Sequence, residues 1–191
     1  MPARILTVLP LLAFSGLASA HVEGVHLSGS LMGGVLHPLL GLDHLVALVA
    51  IGIWIAFQEK AVQLTAMPLS LLALLLGTLA GLGGFPVPGV EAAIVLSVVA
   101  IGLLLAFRQR LPAWGAGLMA GGFMLFHGVA HGAEMEPGSD ALGYVVGLVV
   151  ASGVVILLAR ALGVALQRTD RPVGRVIGIA VMLAGGLFAA G

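Results

Sequence analysis

Apolar positions in this chain run in long blocks separated by short polar breaks, without the strict alternation that marks half-buried strands. A first run covers Ile5–Leu17, and further blocks follow at Leu31–Phe57, Leu64–Leu82, Val90–Phe107, Ala113–His131, Leu142–Ala159 and Val173–Ala189. Each of these later blocks approaches the ~20 residues a helix needs to cross about 30 Å of hydrocarbon. Only helices and closed barrels satisfy every backbone group in lipid, and the missing alternation disfavours a barrel. The pattern predicts an all-α membrane protein, a bundle of six transmembrane helices.

The first run reads differently. Arg4 precedes it, it is short for a span, and Ala18-Ser19-Ala20 follows with the small residues of a cleavage site. Residues 1–20 are expected to be a signal peptide, leaving 21–191 as one transmembrane domain that begins at His21. Composition agrees with a lipid environment, because 60% of residues are hydrophobic and only 8% charged, against roughly 25% charged in soluble domains. The chain has no cysteine, which excludes disulfides and thiolate metal ligands.

Charge orients the spans. Export of His21 makes the breaks after spans one, three and five cytoplasmic, and these hold Lys60, Arg108, Arg110, Arg160, Arg168, Arg171 and Arg175. The opposite segments carry Glu23, Glu91, Glu134, Glu136 and Asp140 with no basic residue. This is the positive-inside distribution. It predicts a multi-pass protein of the bacterial inner (plasma) membrane, with a periplasmic N-terminus and an acidic outer face that concentrates cations. Gly77/Gly81, Gly117/Gly121, Gly143/Gly147 and Gly174/Gly178 have the spacing that lets helix backbones approach closely. Three spans followed by three more would permit an inverted repeat, although the two halves show no convincing similarity.

Ionisable residues inside spans are costly and mark functional paths. Span one holds His37-Pro38-Leu39-Leu40-Gly41-Leu42-Asp43-His44, and span four ends in Phe126-His127-Gly128-Val129-Ala130-His131-Gly132-Ala133-Glu134. His127 and His131 share a helical face, which Glu134 extends. His37 and His44 also share a face but lie about 10 Å apart on an unbroken helix. Either the helix opens at Pro38 and Gly41, or the two serve successive sites. With Trp54 and Trp114 taken as interface markers, His37, His131 and Glu91 fall at one depth. His44, Asp43 and His127 fall deeper, with Glu134 at the mouth.

Imidazole and carboxylate without thiolate suit a borderline divalent ion: nickel, cobalt or zinc. Asp43 is either a ligand or the partner that orients a histidine. His21 and His26, beside a free amine, are candidates for capturing metal outside the membrane. The methionines form no cluster with these residues and read as packing or lipid-facing positions. No prosthetic group or nucleic-acid partner is expected; the partners are a divalent metal ion and the bilayer. An intramembrane metal-dependent hydrolase is the alternative, against which stand the absence of an HExxH helix and the staggered depths of the polar residues. A non-transporting metal receptor would call for a docking segment that the sequence does not show.

The HPxxGxDH pattern of span one and the FHGxxHGxE pattern of span four resemble the HupE/UreJ family of nickel/cobalt permeases, and the resemblance runs along essentially the whole mature chain. It implies secondary uptake of nickel, or cobalt in some members. His37, Asp43 and His44 match the first motif, and His127, His131 and Glu134 the second, with Glu91 at an acidic position early in the third span. With no nucleotide-binding motif and no Lys or Arg inside the expected spans beyond Arg175 at the start of the last, facilitated diffusion is the expected mode.

Overall fold

The computed structural model describes residues 30–135, 140–168 and 172–190. The expected leader 1–20 lies outside the described residues, as do His21, Glu23, His26, Glu136 and Arg171. All regular structure among the described residues is helical: α1 (Leu31–Leu40), α2 (Leu42–Ala56), α3 (Lys60–Leu82), α4 (Val90–Ala106), α5 (Ala113–Ala133), α6 (Ala141–Gln167) and α7 (Val173–Phe188).

The block expected as one span over Leu31–Phe57 is two helices, α1 and α2, bent by 80° at their junction. Pro38 has no N–H to give to the carbonyl one turn back, and Gly41 leaves helical conformation at φ −72°, ψ 107°. Its N–H donates to the His37 carbonyl (3.1 Å) and its carbonyl accepts from the Leu45 N–H (2.9 Å), so one residue closes α1 and opens α2. Ser30 Oγ caps α1 by accepting from the Gly33 N–H at 3.0 Å. Asp140 Oδ1 caps α6 in the same way on Gly143, at 2.9 Å. In the α3–α4 connection Gly84 (φ 71°) and Gly89 (φ 76°) supply left-handed turns.

Among the described residues, α3, α5 and α6 are long and apolar enough to cross a membrane, and the bent α1–α2 pair makes a fourth such element if it is one span. α4 and α7 are apolar but shorter, at 17 and 16 residues, or about 25 Å. α6 runs on past Ala159 to Gln167, which places Arg160 inside a helix rather than in a break.

Glycine sets how the helices pair. A side chain on Gly77 or Gly81 of α3 would fall on the carbonyls of Leu125 or Val129 of α5. One on Gly128 or Gly132 of α5 would fall on those of Leu74 or Thr78. The register advances in one direction, so α3 and α5 are parallel, close enough for Cα–H···O contacts between backbones. α6 runs parallel to α2, with Gly52 against Ile156 and Gly163 against Ile53. α4 and α7 are antiparallel, with Gly102 against Met182 and Gly185 against Val99. Of the pairs expected from spacing, Gly117/Gly121 meets the side chains of Leu69 and Ala73, and Gly174 meets the Phe57 ring, rather than backbone.

α2 is the central helix, with Ile51, Ile53, Trp54 and Ile55 at 1% exposure or less. Leu64, Leu96, Leu118, Leu142, Leu158 and Leu183 point outward and are exposed, the surface that lipid solvates. The basic connections gather at one end of the bundle. There Gln58 bonds the backbone of Gln109 and Leu111, Gln167 bonds Ala56, and the Arg108 guanidinium lies 5.9 Å from the Phe57 ring centroid.

Because the Gly77 position abuts backbone, which cannot rotate away, Gly77→Ala is expected to destabilise the bundle by about 1–3 kcal/mol. Gly122→Ala, where nothing lies within 4 Å of the added carbon, is expected to leave thermal unfolding in detergent unchanged or slightly raised. Equal melting of the two variants would refute the role given to the close helix contacts.

Candidate metal centre

The same glycines aim the histidines. Gly128 and Gly132 press α5 onto α3, and His127 and His131, each one residue earlier, face about 100° round the helix, towards α1 and α2. The break at Gly41 does the corresponding work on the other side. It brings the His37 and His44 ring centroids to 5.9 Å, where a straight helix would hold them about 10 Å apart. Four imidazoles from three helices therefore meet: His37–His131 centroids are 4.5 Å apart, His44–His131 4.2 Å and His44–His127 5.3 Å.

Glu134, the C-cap of α5, stands over this cluster with Oε2 3.5 Å from His37 Nε2. One ligand atom from each of His37, His131 and Glu134 lies within 4.8 Å of the others. A metal about 2.1 Å from each ligand needs them closer than this, a small rotation of exposed Glu134 and half-exposed His37. On the inner side the rings are fixed by hydrogen bonds. His44 Nδ1 lies 2.9 Å from Asp43 Oδ1, and His127 Nδ1 2.8 Å from the Phe123 carbonyl oxygen. Carboxylate and carbonyl oxygens only accept, so each Nδ1 carries a proton and, in the neutral ring, each Nε2 presents a lone pair. His44 Nε2, His127 Nε2 and His131 Nδ1 are buried without a hydrogen-bond partner. Such nitrogens are costly unless a cation or donor satisfies them. They border a cavity of about 10 Å³ shared with Pro38, Met124 and Ser152.

His37, Asp43, His44, His127, His131 and Glu134 are thus brought together, and the helix opens at Gly41. Asp43 is placed to hold the His44 ring. Glu91 differs from expectation: it lies exposed in the first turn of α4, and the described histidine–carboxylate pairs are His37–Glu134 and His44–Asp43. Glu134, not Glu91, stands with His37 and His131. The two depth layers also interlock, because His131 touches both His37 and His44. Of the two tryptophans taken as interface markers, Trp54 is fully buried in the core, whereas Trp114 is 72% exposed. Sequence reasoning missed Tyr144 of α6, whose ring centre is 6.0 Å from that of His37. It also missed Met124, which is 1% exposed and borders the cavity; its place one turn before His127 on the histidine stripe was the available signal.

Comparison with known proteins gives the family. The family model for HupE / UreJ protein matches residues 9–188. Protein HupE of Rhizobium leguminosarum bv. viciae is 39% identical over 193 residues, covering 99% of this chain and 98% of that protein. No solved structure matches. The chain belongs to the HupE/UreJ family, whose members are transport proteins associated with nickel and cobalt uptake rather than enzymes.

Proposed function

We propose that this chain is a permease that admits Ni²⁺, or Co²⁺, to the cytoplasm by facilitated diffusion. The observation that carries this reading is the convergence of four imidazoles with three buried nitrogens left without partners. His37, His131 and Glu134 take the ion from the outer face, and His44 and His127, oriented by Asp43 and the Phe123 carbonyl, receive it deeper. Glu91 belongs to the acidic mouth. Neutral imidazole nitrogen suits nickel, cobalt and zinc, and the missing thiolates disfavour cuprous copper. A dication crossing 100 mV gains about 4.6 kcal/mol, so the membrane potential alone drives accumulation. We read the helices as six crossings with the N-terminus outside and the basic end in the cytoplasm; the alternating pair directions, α2 with α6, α3 with α5, and α4 against α7, support that count.

Purified protein in liposomes, given a metal gradient and an internal metal-sensitive dye, should show saturable influx. His37→Ala and His131→Ala should abolish it while the folded protein remains in the membrane. Asp43→Asn should weaken metal affinity by about 10–100-fold, the usual cost of losing a partner that orients a ligand. Influx through both histidine variants at near-normal rates would refute the reading. Topology is tested separately, since the chain has no cysteine of its own. Arg110→Cys and Arg168→Cys should be protected from an impermeant external thiol reagent and Ser139→Cys should react; external labelling at position 168 would overturn the six crossings.

A further inference from the structure

The helix pairs carry more than packing. If α1–α4 is one half of the bundle and α5–α7 the other, exchanging equivalent spans turns the α2–α6 pair into the α5–α3 pair. It leaves α4 and α7 paired with each other, antiparallel. This is the pairing of an inverted repeat, in which two units rock about a site between them. Two parallel pairs locked by glycine, α2–α6 and α3–α5, are the rigid units here. The histidine cluster crosses the seam between them, joining His37 and His44 to His127 and His131.

A second set of bonds crosses the same seam at the other end, about 20 Å along α2 from His44. Gln58, just past α2 and 5% exposed, gives its amide N–H to the Gln109 carbonyl (3.1 Å) and accepts from the Leu111 N–H (3.0 Å), ahead of α5. Arg160 of α6 donates from Nη2 to Gln63 Oε1 of α3 at 3.0 Å. Gln63 in turn donates to the Ala56 and Gln58 carbonyls, at 3.0 and 2.8 Å. Between the two sets α2 presents Leu48, Ile51 and Ile55, all at 3% exposure or less. The buried hydroxyls of Ser70, Thr78 and Ser97 are spent on carbonyls of their own helices. Among the described residues α2 carries no ionisable side chain between His44 and its end, and the Arg160 charge stands beyond this stretch.

We propose that Gln58, Gln63 and Arg160 form a latch across the seam that holds the exit shut, and that the ion leaves when the α2–α6 pair swings away from α3–α5 at this end. The proposal rests on the permease reading for which end is the exit, but its test needs no metal. Leu48 borders the histidine cavity and is 3% exposed, and Leu48→Cys would be the chain's sole thiol. In inside-out vesicles, adding Gln58→Ala should speed labelling of that thiol by an impermeant reagent about fivefold or more, the shift expected from losing two cross-seam hydrogen bonds. Labelling from the outer face should stay the same or slow. Arg160→Leu, which removes a further cross-seam donor, should act alike and serves where Gln58→Ala does not fold. Unchanged labelling in a folded variant, or equal acceleration from both faces, would overturn the latch. Absence of metal influx with the labelling shift intact would instead sink the permease reading and leave the latch standing.

Discussion

Everything at the centre follows from the chain leaving helical conformation at Gly41. Had α1 continued into α2, His37 and His44 would lie too far apart to face a common partner. Space also favours glycine at the junction: a Cβ at Gly41 would lie 3.0 Å from His44 Nδ1 and 3.3 Å from Asp43 Oδ1. A side chain there would press on the hydrogen bond that turns the His44 lone pair inward. Pro38 loosens the preceding turn, Gly41 ends it, and Asp43 fixes the ring that follows. On the facing helix the alternation of His127-Gly128 and His131-Gly132 does the complementary work, one residue of each pair gripping α3 and the other facing the break.

Much of this was legible in the residues, and the illegible part has physical causes. Hydrophobic blocks marked the helices because lipid tolerates little else, and the histidines of α1, α2 and α5 stood out because ionisable groups in spans are expensive. Whether Pro38 and Gly41 open the helix could not be read locally, since α1 is held in its bent position by Gly34 packing on the Tyr144 carbonyl of α6. Glu91 shows a second limit. Spacing along a helix gives height but not azimuth, and Glu91 is exposed in the first turn of α4. Trp54 shows a third, because indole favours interfaces only on average and here fills the core.

The two ends of the seam use different chemistry. At the histidine end His44 and His127 direct their Nδ1 N–H groups at a carboxylate and a carbonyl, which turns their Nε2 atoms to the site, so a cation satisfies what the fold leaves open. At the other end amides and a guanidinium bond one another and the backbone across the seam. A bundle that binds at one end and bonds itself shut at the other suits a carrier better than an open pore.

The central claim is that imidazole nitrogens of these four histidines hold the transported ion. X-ray absorption on purified, nickel-loaded protein reads that ligation directly. The account expects a nickel shell dominated by imidazole nitrogen, with outer-ring scattering that falls when His131 is replaced by Ala. A shell of oxygen alone, or one unchanged by that substitution, would contradict it.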